Sequence, residues 1–588
     1  MKLRYIYSFL FISPIIILLT LVSSKKSPIE PKSIAIESYY QDLLSKCIAY
    51  YSNIEEKNNY DDKFEAYLNA RTYFKKAEPI MAYFTTEVYE SLNQATILAV
   101  EELGKENYTI DQPYGFQLTE ELLASNEISS EEWNENYAKT LAELKQLNSI
   151  KMSTISELDF LNLFRLQVIR IASLGIAGFD SPRKASLKES AFTYQTLEFL
   201  INEHEVHFKN KQLFEKIVSE LKSSINLLET GEFDEFDRYH FIKDHTQLQL
   251  QLIQETAKDW EVFFPASDAI NPISSSLFSA TTFNADFFDK TVFTKQKSAL
   301  GEALFNEPLL SSTGKLSCAS CHQKNHYFTD SLVHFEGQKR NTPSLYYAAL
   351  QNNYFYDSRS HNLQNQINQV IENPVEFNTD ITEVTTKILA NEEYSNKFIA
   401  AYNKEPNPVI ILDAISQYIK SLHPFNSKFD RNMNGLEASL SKSEKNGFNL
   451  FMGKAECGTC HFAPVFNGTV PPYFETTEME LIGVPKDNQN LALSSDLGRF
   501  DVNNIENRKH FFKTPSIRNS SETAPYMHNG SYNTLEKVID FYNVGGGIGL
   551  RFELPFQTLP SDSLHLTEIE IKELVAFLNS LKDEEEIY

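Results

Sequence analysis

The sequence predicts a mainly α-helical protein: an all-α region over residues 33–265, then a second helical unit present twice. Three observations predict this. Stretches rich in Leu, Ile, Glu and Lys with few glycines run over 62–105, 133–175 and 185–228, a composition that favours helix. Gly301-x-x-Leu304-Phe305 reappears as Gly447-x-x-Leu450-Phe451, each ahead of a Cys-x-x-Cys-His motif, and each copy continues to a Thr-Pro-Ser turn, at 342–344 and 514–516. Of 588 residues, 42 % are hydrophobic and 23 % charged, a globular composition that excludes a disordered or fibrous chain and suggests several domains.

The elements follow in chain order. Lys2 and Arg4 precede an apolar run from Phe9 to Val22, and Ser23-Ser24-Lys25-Lys26 follows it. Residues 1–24 therefore read as a secretory signal peptide; an uncleaved membrane anchor is the alternative, since the run is near the ~18-residue spanning threshold. No other long apolar stretch is evident, so the remainder reads as soluble and exported. Loops are expected from Gly104 to Gly115 and from Gly178 to Pro182. Within one helix, Arg71, Lys75, Lys76 and Glu78 read as a solvated face. The Ser/Pro/Asn-rich stretch 264–284 suggests a linker, taken as 266–290, between the helical domain and units at 291–425 and 426–588. At the C-terminus Thr567-x-x-Glu570 is a capping box, opening a helix whose apolar face is Ile571, Leu574, Val575 and Leu578.

The formal charge of −25 excludes nucleic acid as a partner, because two polyanions repel, and suits a basic protein instead. Of five cysteines, four lie in Cys318-Ala-Ser-Cys321-His322 and Cys457-Gly-Thr-Cys460-His461. C-x-x-C-H is the attachment motif of c-type haem: the two sulfurs bond the porphyrin and the adjacent histidine is placed to ligate its iron. A zinc site needs no histidine directly after each pair. Two covalent haems are therefore expected, with His322 and His461 as axial ligands and Cys47 as a spare, buried thiol.

From about residue 291 the chain resembles the bacterial dihaem cytochrome c peroxidase family, which includes the MauG cofactor-maturation enzymes. The resemblance runs through Gly301–Phe305, Ser317–His322, Phe328-Thr-Asp330, Arg340–Ser344, Asp357-Ser-Arg359, Asn373-Pro-Val-Glu376, Phe512–Ser516 and Thr523–Gly530. The N-terminal half looks like a helical extension found ahead of such peroxidases. The resemblance implies two tandem cytochrome c-like domains and a periplasmic cytochrome-c peroxidase reducing hydrogen peroxide with electrons from a small cytochrome c or similar donor. The first haem is then peroxidatic and the second admits electrons.

Residue by residue, it implies Glu376 as general acid–base and Gln366 as the group that orients peroxide. Val370 stands where the family places a proline. His334 is a candidate gate ligand of the first haem, one residue from the expected register, and Tyr356 stands in place of the family's inter-haem tryptophan. Asn341, Thr523 and Pro525 match an interdomain Ca²⁺ site, oxygen donors that suit this ion. For the sixth ligand of the second haem the sequence leaves two candidates: Tyr542, the MauG-type arrangement, and Met527. Phenolate ligation lowers the potential and thioether ligation raises it. The alternatives to peroxide reduction are a MauG-like oxidase acting on a protein substrate, and a dihaem electron carrier without enzymatic activity. A homodimer is left open.

Overall fold

The computed structural model describes residues 31–584 apart from 98, 105–106, 126–129, 152–154, 180, 182 and 266; the signal segment 1–24 lies outside the described residues. The chain is mainly α-helical. Its first half holds α1 (Pro31–Glu56), α2 (Tyr60–Phe84), α3 (Thr86–Asn93), the antiparallel hairpin β1 (Ala99–Gly104) and β2 (Asn107–Asp111), α4 (Phe116–Ala124), α5 (Ser130–Ser149), α6 (Glu157–Ser173), α7 (Ser186–Glu203), α8 (Lys211–Thr230) and α9 (Gln247–Trp260). Local chemistry sets several of these starts. Asn59 caps α2, accepting from the Asp62 N–H, and Ser156 with Asp159 forms a capping box on α6, each satisfying N–H groups that a helix start leaves without partners.

Three expectations fail in this half. The helix predicted over 62–105 stops at Asn93, and residues 99–104 and 107–111 pair as antiparallel strands, where Val100, Tyr108, Thr109 and Ile110 suit strand better than helix. The charges of α2 are not a solvated face. Arg71, Lys75 and Glu78 are at most 3 % exposed. Arg71 makes a bidentate pair with Glu189 at 2.8 Å and donates to Asn93 at 2.9 Å. Glu78 pairs with Lys75 and with Arg170, and accepts from Tyr89. Removing one member would strand a buried charge, a loss of about 3–5 kcal/mol. Composition registers charge but not which helices pack over it. Likewise α6 with the turn after it (Glu157–Ala177) is long and apolar enough to cross a membrane, contrary to the sequence reading, but its apolar side chains are spent on the core, 89 % of its most apolar 18 residues being buried. Cys47 is buried in the same core.

The second half repeats one packing device. In α10 (Lys295–Phe305) a Cβ on Gly301 would sit 1.8 Å from the Ala414 carbonyl oxygen of α12 (Pro408–Lys420), α11 being Leu363–Glu372. In α13 (Lys442–Met452) a Cβ on Gly447 would sit 1.9 Å from the Glu573 carbonyl oxygen of the last helix (Glu568–Ser580). Each unit thus crosses the helix ahead of its attachment motif against its last helix, backbone to backbone, at the glycine of the repeated Gly-x-x-Leu-Phe. The final helix carries the expected capping box, and Leu574 and Leu578 are buried. The stretch read as a linker is packed: Phe278 lies against Phe429 and Phe466, and Phe283 against Phe425 and Phe474. Behind the last helix Asp583 joins the two units, accepting from Tyr347 of the first at 2.8 Å and from Asn519 of the second at 2.8 Å.

The helical half lies directly on the second unit. A Cβ on Gly458, between the second pair of cysteines, would be 3.4 Å from the Ala177 Cβ. Phe179 packs edge-on against Phe462 with centroids 5.6 Å apart, and Tyr473 donates to the Ala82 carbonyl at 2.8 Å. Glu102 of the hairpin accepts from Arg499 Nε at 3.0 Å, while Arg499 Nη1 donates to the Asp357 and Ser358 carbonyls. One arginine therefore ties hairpin, first unit and second unit together.

Candidate functional site

A single cavity of about 1970 Å³ runs between the two units, large beside the ~300–1,000 Å³ of an ordinary ligand pocket. Its lining includes both cysteine pairs, both motif histidines and the other candidate site residues: Gln366, Glu376, His334, Tyr356, Asn341, Thr523, Pro525, Met527 and Tyr542.

Each motif histidine is held from behind. His322 Nδ1 lies 2.9 Å from the Phe328 carbonyl oxygen, and His461 Nδ1 lies 3.0 Å from that of Pro515. A carbonyl accepts only, so Nδ1 carries the proton in each ring and Nε2 keeps a free lone pair, the tautomer of a metal-ligating histidine. Burial lowers both pKa values, that of His461 to about 4, so the rings stay neutral, as ligation requires. Burial pushes the Cys318 and Cys457 thiols up to about 12. Paired sulfurs, neutral imidazoles with Nε2 unused and an undivided cavity fit two covalent haems. Among the described residues no cluster of three or more His, Cys, Asp or Glu offers a competing metal site.

Around the first motif, Asn362 caps α11 and Gln366 follows one turn later, with Val370 a further turn on; both line the cavity. Just beyond the helix, Glu376 accepts from Gln338 and from Asn373, each at 2.9 Å. Burial raises its pKa against those two bonds and the Arg359 charge. Glu376 in turn raises the Cys318 and Cys321 thiols electrostatically, which puts it beside the first attachment site. His334 is exposed, on a loop at the cavity edge beside Leu332 and Val333, which are 48 % and 50 % exposed. Gln338 escaped the sequence reading, since nothing in its neighbourhood marks it.

Around the second motif, Tyr542 lies on the helix Leu535–Asn543, and burial first, then Cys460, Cys457 and Glu480, raises its pKa. Met527 lines the same cavity in left-handed backbone, φ 71°. Strands β3 (Met479–Glu480) and β4 (Phe512–Lys513) pair beside it. Glu478 and Glu480 line the cavity here, and burial with the Glu478 charge pushes Glu480 up to about 7; the sequence reading missed this pair. Between the motifs, the Tyr356 carbonyl accepts from the Lys513 N–H at 2.7 Å. Arg340 pairs with Asp357 at 2.6 Å and with both oxygens of Asp496, and against burial it holds the Asp496 carboxyl at about 2. Asn341 donates from its side chain to Leu332 and from its backbone to His528, crossing from one unit to the other near Thr523 and Pro525.

A helical chain with two haem-attachment motifs facing one cavity defines a dihaem c-type protein. The comparisons narrow the class. A family model described as di-haem cytochrome c peroxidase matches residues 295–438. The methylamine utilization protein MauG of Methylorubrum extorquens is 33 % identical over 50 % of this chain and 79 % of its own. The cytochrome c551 peroxidase of Nitrosomonas europaea is 30 % identical over 54 % of this chain and 84 % of its own. Among solved structures, a MauG-like protein associated with microbial copper homeostasis is 29 % identical, with a TM-score of 0.44, over 50 % of this chain and 91 % of that one. The chain belongs to the dihaem cytochrome c peroxidase and MauG family, and is an oxidoreductase carrying two c-type haems.

Proposed function

We propose that the protein reduces hydrogen peroxide to water at the first unit, with electrons arriving one at a time through the second unit from a small, basic cytochrome c or similar donor. The observation that carries this is Glu376: a buried carboxylate with a raised pKa, fixed by two carboxamides beside the first attachment motif, in a cavity continuous with the second. When bound, the haems supply the redox chemistry that breaks the O–O bond. Cleavage also needs a proton moved from one peroxide oxygen to the other, which must leave as water. Glu376 takes and returns that proton, an effect typically worth about 10²–10⁴-fold; its raised pKa suits both halves of the transfer. Gln338 and Asn373 keep Glu376 in place, and Gln366 orients peroxide by hydrogen bonding. Tyr356, in backbone contact with β4, serves as the bridge between the haems.

The finer assignments belong to the same reading. His322 and His461 hold the irons from the proximal side. Tyr542 is the sixth ligand of the second haem, favoured over Met527 by its burial beside Cys457 and Cys460. His334 is the gate at the first haem. Asn341, Thr523 and Pro525 bind one Ca²⁺ between the units. The signal at 1–24 exports the chain to the periplasm, and the domains are 33–265, 291–425 and 426–588, joined through 266–290. The strong negative charge attracts the basic donor.

Peroxide turnover with reduced cytochrome c tests the reading. Glu376→Gln is expected to cut it by about 10²–10⁴-fold with both haems still attached; unchanged turnover would remove Glu376 from the mechanism. Tyr542 favours a second reading, a MauG-like oxidase drawing electrons from a protein side chain. Absence of cytochrome-driven turnover in every redox pre-state would sink the peroxidase reading.

A further inference from the structure

Three lysines are buried among the described residues: Lys75, Lys420 and Lys513. Lys75 pairs with Glu78, and Lys420 with Asp286 at 2.7 Å. Lys513 is 9 % exposed, and its Nζ donates to the neutral carboxamide oxygen of Gln351 at 2.8 Å, with no carboxylate partner among the described residues. An ammonium in low dielectric with one neutral acceptor is costly. Burial alone accordingly drives its pKa down to about 8. The other cavity-lining cations differ: Arg340 and Arg359 are both bonded to Asp357, Arg518 pairs with Asp430, Arg508 sits in the field of Glu102, Glu478 and Glu480, and Lys339 and Lys486 are exposed to solvent.

Lys513 and Gln351 both line the cavity. Lys513 ends β4, two residues before Pro515, whose carbonyl holds His461, and its charge is felt at His461. A haem carries two propionate carboxylates, and a propionate is the counter-charge this site lacks. We infer that Lys513, steadied by Gln351, is the anchor for a propionate of the second haem, forming a charge-assisted hydrogen bond that offsets the propionate's negative charge and so favours the reduced haem. Because the Lys513 N–H also bonds the Tyr356 carbonyl, the anchor fixes that haem edge relative to the segment between the two sites. The inference rests on the presence of two haems.

The test uses the holoprotein. Mass spectrometry first counts the haems: a wild-type chain with fewer than two would overturn the dihaem reading and this inference with it. Given two, Lys513→Met is expected to move the second haem's midpoint potential to more negative values and to shift its propionate bending band in the resonance Raman spectrum, with the first haem unmoved. Lys513→Arg, which keeps the charge, is expected to restore both. An unchanged second-haem potential and band in Lys513→Met would overturn the lysine assignment alone, as would equal shifts at both haems. If Lys513→Met fails to retain the second haem, Lys513→Arg decides: retention supports the charge pair, and equal loss overturns it.

Discussion

Ala319 and Gly458 hold the same place in the two attachment loops, yet Ala319 is partly exposed and Gly458 is buried under Ala177 of the helical half. The motifs around them match residue for residue in type, and both histidines are held by a backbone carbonyl. The surroundings differ. The first site opens past an exposed loop that carries Leu332, Val333 and His334. The second is walled by Gly178, Phe179 and Val100 from the N-terminal half and by Glu478, Met479 and Glu480. Identical attachment chemistry thus sits in two environments, one bordered by an exposed loop and the other covered by the helical half.

The sharpest way to break this comparison is to remove the sites one at a time. Replacing Cys318 and Cys321 by serine is expected to leave one haem by mass and abolish peroxide turnover, while the Cys457/Cys460 pair of substitutions also leaves one haem and abolishes turnover driven by cytochrome. Retained turnover in either would show that one haem suffices. Glu376→Gln acts only on the first site, so the optical spectrum of the second haem should remain as in wild type while turnover falls. Gly301→Ala and Gly447→Ala compare the two helix crossings. Each forces a Cβ against a carbonyl oxygen, with an expected cost of about 1–3 kcal/mol or more, read as a lowered Tm; similar losses would show that the two crossings contribute alike.

The joint between the units gives a pH-dependent prediction. Burial pushes the Asp583 carboxyl up to about 6, against the pull of Arg518, whereas an unfolded Asp titrates near ~3.9. The folded state therefore binds more protons between those values, and stability should fall as pH rises from about 4 to 6. Asp583→Asn is expected to flatten that slope in denaturation curves measured across this range. The smallest expected effect is Thr567→Ala, which removes the cap of the last helix and costs about 1 kcal/mol.

The legible parts were those whose chemistry is local. Cys-x-x-Cys-His, the capping box at Thr567 and the glycine of Gly-x-x-Leu-Phe each announce themselves within five residues. The relations between distant segments were not legible. Arg71 meets Glu189, which lies 118 residues away, and Gln338 meets Glu376 across 38; no pattern within either segment encodes its partner. The hairpin at 99–111 was hidden because its residues sit in a sequence otherwise rich in helix formers. The isolation of Lys513 could be seen only once every neighbouring side chain had a place.

The contact of Ala177 with Gly458 also has a bearing on haem attachment. Bonding a porphyrin to Cys457 and Cys460 requires both sulfurs to be reachable, and the loop that carries them is roofed by a segment synthesised some 280 residues earlier. The roof rests on the residue between the two cysteines, while Cys457 and Cys460 themselves stay partly exposed to the cavity. The earliest-made part of the chain thus braces the attachment loop from outside and leaves its sulfurs facing the haem space.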